Sequence, residues 1–302
     1  MVPPHTGIDG VFWKRHNVES GENLCSGSFK MFIATTRIRC LCFSIFSLAL
    51  VWGSQNRCQA ADEQSVPIEQ LSKQLSEARQ QFDFGKAVRV LDQWIKQQPD
   101  RSQLYYLRGC ENFFAGNYRQ SVKDFDRLVE LEPARRQSLW ERGISYYFAG
   151  DFAKGAEQFA DYQNYHDQDV ENSVFRYLCV AKADGVKQAR ETLLPIENDP
   201  RPGLMEVFRL YEGKETPQNV LEDMQQTKLT GPAAAGYRFY TLLYVGLYYD
   251  AHGDDALAVK YLAEASDPKL LEAGGRRISR YMWDTARLAH QEISKRIPPA
   301  KN

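Results

Sequence analysis

The chain has 302 residues, with 38 Lys and Arg against 39 Asp and Glu, a formal net charge of −1, and 43% hydrophobic residues. Residues 1–60 hold six of the basic and three of the acidic side chains, so the remaining 242 residues keep 32 and 36 and a net charge of −4. Such a balance argues against broad electrostatic binding of nucleic acid.

The first sixty residues differ in kind from the rest. Residues 1–30 show no periodicity and read as a disordered overrun ahead of a start at Met31. Arg37 and Arg39 then precede an apolar run, Cys40–Trp52, broken only by serines. That run is short for a membrane span, which takes about 20 apolar residues. Cys58-Gln-Ala60 offers small residues at a cleavage site, followed by the acidic Ala61-Asp62-Glu63. A basic stretch, a short apolar stretch and a small-residue site together predict a secretory signal peptide over residues 31–61. The expected location is therefore the periplasm of a bacterial envelope, or outside the cell. An uncleaved membrane anchor is the competing reading, and the one route by which this pattern would keep the chain at a membrane. Lipid attachment at Cys58 is disfavoured, because Gln55-Asn56-Arg57 stand where small and apolar residues are needed.

From residue 62 the rhythm is helical. A diverged first hairpin starts near Ile68, carries Leu71, Leu75, Ala87, Leu91 and Trp94, and closes at Pro99. In Leu104–Glu132, Gly109 lets a neighbouring helix approach, Gly116 supplies a permissive turn, and Pro133 ends the unit. Ser121 and Phe125 stand at i and i+4, a spacing that predicts the aromatic packed over the small residue. These landmarks return 34 residues later: Gly109 as Gly143, Gly116 as Gly150, Tyr118 as Phe152, Phe125 as Phe159, with Pro99 preceding Pro133 by the same step. Residues 172–230 keep the helical stripe without the landmarks and read as two degenerate hairpins. Asp199-Pro-Arg-Pro-Gly203 is a turn between them, and Thr216-Pro217 caps and starts a helix. Tyr240–Asp267 restores the pattern with Gly246, Tyr249, Gly253, Ala258 and Leu262. Ile278, Tyr281, Met282, Ala286, Ala289 and Ile293 then mark a closing helix with a polar outer face.

A 34-residue period with this small and aromatic pattern is the signature of tetratricopeptide (TPR) repeats. The expected fold is all-α: a right-handed TPR solenoid over residues 62–295, of about six or seven hairpins, with a C-terminal capping helix and a disordered tail at 296–302. One hairpin cannot bury its own apolar face, so hairpins stack, and the first helices line a concave surface suited to a protein or peptide.

Motifs for chemistry are absent: no phosphate-cradling glycine loop, no nucleophile elbow, no His-Glu-x-x-His. His166, His252 and His290 are isolated in sequence, so no metal, no cofactor and no catalytic residue is expected. Cys110 and Cys179 would form a disulfide in an oxidising compartment, but two buried thiols acting as small hydrophobes is the favoured reading. Arg276-Arg277, with Arg280, reads as an exposed basic face, with an acidic partner as the alternative. The groove-facing candidates are Tyr106, Phe113, Trp140, Tyr147, Phe148 and Tyr240, aromatics on inner helices where a partner would find anchors. Inter-repeat core is the alternative for each. At the places where TPR domains that bind chaperone tails carry a lysine/asparagine clamp stand Tyr106, Cys110 and Trp140 or Ile144, which argues against that role.

The order of Arg142-Gly143, Tyr146-Tyr147, Phe175-Arg-Tyr-Leu178, Lys187-Gln-Ala189, Phe208…Tyr211-Glu-Gly213 and Tyr244-Val-Gly-Leu-Tyr-Tyr249 resembles the NlpI-type bacterial TPR lipoproteins. The likeness covers roughly residues 100–290, including the degenerate middle. It implies an exported, homodimeric helical adaptor that brings proteases together with cell-wall hydrolases and has no catalysis of its own. The missing lipid-attachment cysteine and the diverged repeats depart from that family. A domain binding cell-wall glycan or peptide fragments directly is the alternative function. It would want aromatics flanked by carboxylates and amides, for which the sequence offers Gln103 and Gln137.

Overall fold

Left-handed backbone is what lets each helix reverse on its predecessor here. Gly116, Gly150 and Gly253 hold φ of 79°, 81° and 82° at hairpin turns, a conformation costly for any residue with a Cβ. The structure is a computed structural model that describes residues 65–298. The expected overrun and signal peptide lie outside the described residues. Among the described residues there are fourteen α-helices and no strand.

The first hairpin pairs α1 (Ile68–Gln80) with α2 (Phe84–Gln97), the second α3 (Ser102–Phe114) with α4 (Tyr118–Leu131), and the third α5 (Trp140–Ala149) with α6 (Phe152–Gln163). Each packs on the next through α2 on α3, α4 on α5 and α6 on α7 (Val170–Asp184). In the first hairpin the left-handed turn position falls on Phe82, 34 residues before Gly116, with φ 56°. Its ring is 51% exposed and lies under the Arg280 guanidinium at 4.0 Å.

The repeat glycines sit where helices touch. A Cβ on Gly109 would meet the Phe125 ring at 2.9 Å, on Gly143 the Phe159 ring at 2.6 Å, and on Gly246 Leu262 at 2.7 Å. Phe125 thus packs over Gly109 of the facing helix. The Ser121 hydroxyl donates to the Gly109 carbonyl at 2.7 Å, with Ser145 Oγ 2.9 Å away. A second 34-residue echo joins hairpins by charge. Arg108 bridges Asp92 (2.7 Å) and Asp124 (2.5 Å), and Arg142 bridges Asp126 (2.6 Å) and Gln158 (3.0 Å).

The middle forms the two expected degenerate hairpins, α7 with the short α8 (Val186–Glu191) and α9 (Leu204–Glu212) with α10 (Pro217–Gln226). Thr216 accepts from the Asn219 amide at 3.2 Å, with Pro217 in the first turn, as its sequence predicts. Next come α11 (Gly231–Ala251) and α12 (Asp255–Ala265). The repeat landmarks begin only at Tyr240, yet α11 starts nine residues earlier. Pro232 in the first turn and Ala233–Ala235 start and extend it.

The last two helices of the described residues are α13 (Pro268–Gly274) and α14 (Arg280–Ser294). The polar outer face expected of the closing helix is narrow: Tyr281–Ala286 are buried residue after residue, and Arg287, His290, Gln291 and Glu292 keep a polar side farther along. Packing explains this, because α14 is wedged between α12 and α3 instead of lying outside the stack. Arg296, just past the boundary at 295, is held by Asp250 and by Asp255 at 2.9 Å.

Candidate functional site

The inner-helix face can be followed residue by residue. Helix α3 brings Tyr106 and Phe113, α5 brings Trp140, Tyr147 and Phe148, and α11 brings Tyr240. Opposite them lies α14. Tyr281 stacks flat on Phe113, with centroids 4.8 Å apart and planes at 5°, and meets Trp140 edge-on at 5.0 Å. Its hydroxyl donates to the Glu141 carbonyl at 3.4 Å. Arg287 donates to the Phe114 carbonyl at 2.8 Å, and the Tyr118 hydroxyl to Glu292 at 3.1 Å.

The open groove expected from the spacing is therefore filled by the chain's own last helix. Phe113 has no exposure left, and Tyr106 turns inward to donate to Glu141 at 2.8 Å. Tyr147 is buried and donates to Asp250 at 3.1 Å. Tyr240 accepts from the Ser279 amide at 3.4 Å ahead of α14. Helical spacing says which side of a helix a residue occupies, not what packs against that side.

Phe148 borders open space, as does the edge of Tyr147. Phe148 is half-buried, packed edge-on to Phe113 and Tyr147, and lines a cleft of about 260 Å³. Tyr118, Tyr147, Phe152, Leu247, Ala289 and Ile293 complete the apolar wall, while Lys182, Asp250, Glu292 and Arg296 bring charge. Asp250 is the hub. It accepts from Tyr147, pairs with Lys182 at 3.0 Å and with Arg296, and its burial leaves little water to compete. Burial first, then the Asp250 charge, pushes the Tyr147 hydroxyl well above its ordinary range, so it stays a donor. The sequence reading missed Lys182, Asp250, Glu292 and Arg296. No local signal marks them, since they come from three separate segments, α7, α11 and the end of α14. The cleft suits an apolar or aromatic group carrying polar ends, held by its surface and hydrogen bonds.

Elsewhere, Cys110 and Cys179 are free, buried thiols, and burial raises both above the usual thiol range. Cys179 fills space beside Gly155, where a Cβ would come within 2.7 Å of its sulfur. Arg276 and Arg277 are exposed. Among the described residues, no group of three or more His, Cys, Asp and Glu is placed to hold a metal ion, and no helix is long and apolar enough to cross a membrane. No protein-family model matches the sequence, and no curated protein matches it.

Proposed function

We propose that the chain is an exported TPR-type scaffold that binds protein or peptide partners and carries out no chemistry itself. One observation carries the reading: the 34-residue recurrence of glycine under aromatic, Gly109 under Phe125 and Gly143 under Phe159, at successive hairpin contacts. Arrays of this kind serve chiefly as binding surfaces. The resemblance to NlpI-type adaptors points the same way and extends the proposal to homodimers working with envelope proteases or cell-wall hydrolases. Because α14 fills the inner face, the partner contact is assigned to the cleft at Phe148, Phe152 and Lys182 and its rim.

The test is affinity capture of the tagged full-length protein from its own cells after cross-linking, read by mass spectrometry, beside Phe148→Ala. A defined partner set that the variant loses is the expected result. Capture indistinguishable from an untagged control would overturn the adaptor reading. Direct binding of cell-wall glycan is the second reading, favoured by Asp250 and Glu292 flanking the cleft aromatics. Calorimetry with soluble cell-wall glycan fragments separates the two, since heat of binding there without protein capture reverses the order.

A further inference from the structure

Among the described residues, the buried carboxylates are Glu111, Asp124, Glu141, Asp199, Asp250 and Asp284. All but one touch a cation. Glu111 has Arg79 at 2.6 Å, Asp124 has Arg108 at 2.5 Å, Asp199 has Arg201 at 2.5 Å, Asp250 has Lys182 at 3.0 Å, and Asp284 has Arg280 at 2.7 Å. Glu141 is 4% exposed and has no ion pair. Its Oε1 accepts the Tyr106 hydroxyl at 2.8 Å. Its backbone carbonyl accepts Ser145 at 2.9 Å and, from α14, Tyr281 at 3.4 Å. The same residue thus joins α3, α5 and the first turn of α14.

We infer that Glu141 is a proton-held latch: uncharged, it lets α14 sit closed on α3 and α5, and its ionisation loosens that seat. A buried charge with no counter-ion is costly, and separating the helices to admit water relieves it. The groups around it do not supply the missing charge. From α3 come Tyr106 and Cys110, from α14 Tyr281, each pushed up by burial and so neutral through the physiological range. Arg135, in the turn after α4, acts on Glu141 more weakly than burial does and leans over the Tyr106 ring at 5.6 Å. Burial lifts the Glu141 carboxyl from 4.5 to about 7.

A carboxyl raised in the closed state binds its proton there and releases it when α14 opens. Closure is therefore fully favoured below pH 4.5, weakens as pH rises towards 7, and levels off above that. The latch is a property of the fold and does not depend on the adaptor reading. Only its use depends on it, since loosening would uncover Phe113 and Trp140 for a partner.

Hydrogen exchange of the full-length protein, corrected for intrinsic amide rates, reads the opening directly. From pH 5 to pH 8 the α14 amides are expected to open about 70-fold more often, with the rise ending near pH 7. Glu141→Gln, of the same shape but without the charge, should abolish the rise. A wild-type α14 that opens equally often at both pH values overturns the latch. So does the same rise in α9 and α10, which would make Glu141 a setter of overall stability. If Glu141→Gln does not fold, the wild-type comparison of α14 with α9 and α10 still decides. A latch confirmed here alongside failed partner capture would refute the adaptor reading alone.

Discussion

Gly143→Ala sets two effects of opposite sign against each other. In a helix interior, alanine is favoured over glycine by about 1 kcal/mol, so a helix touching nothing at this point would be stabilised. Here the added Cβ would stand 2.6 Å from Phe159 Cζ and 2.9 Å from Cε1 and Cε2. The ring has no room to retreat, being 1% exposed and stacked on Phe175 with centroids 5.7 Å apart. Overpacking of this kind costs about 1–3 kcal/mol, rising if the helices must part. The clash should win, leaving a net loss of up to about 2 kcal/mol in urea unfolding followed by circular dichroism. Phe159→Leu makes space, so the double variant should lose less than the two single losses combined, with a coupling of about 1 kcal/mol. Gly109→Ala, whose nearest ring atom is 2.9 Å away, should suffer less. A stabilised Gly143→Ala would show that α5 and α6 do not meet there, and the hairpin register would be wrong.

Three further outcomes follow from the packing. Arg108→Ala strips the cation from Asp124, which is 4% exposed, and should cost about 3–5 kcal/mol, with Asp124→Asn in the same chain recovering part of it; no recovery would mean that Arg108 acts through packing alone. Trp140→Ala removes a half-buried ring from Tyr281 and should cost about 2 kcal/mol, less than the 3–5 of a full core site. Intact stability with lost partner binding would instead return Trp140 to an open groove. Cys110 and Cys179 should resist alkylation in the native protein and react once it is unfolded, with no mobility change on non-reducing gels; a shift there would disprove two free thiols.

Much of the local structure was written in short-range pattern. Gly116, Gly150 and Gly253 need left-handed backbone, Thr216-Pro217 starts a helix, and Gly143 admits Phe159, each a constraint set within one hairpin. The all-α class and the hairpin order follow from such constraints, since the period repeats them. The Arg108 and Arg142 bridges went unread, although the two arginines stand 34 residues apart, because polar positions are easily taken for solvated surface. What the sequence could not say is which element covers the inner helices. Tyr106, Phe113 and Trp140 look the same on a helical stripe whether a partner or the chain's own α14 lies opposite. Only the tertiary path decides that, because the contact between Phe113 and Tyr281 joins residues far apart in the chain. The same path gathers Lys182, Asp250, Glu292 and Arg296 around one cleft and leaves Glu141 buried without a cation. Local pattern determines where a helix bends and which side is apolar. Burial and charge environment are sums over everything that packs nearby, and they exist only once the chain has closed on itself.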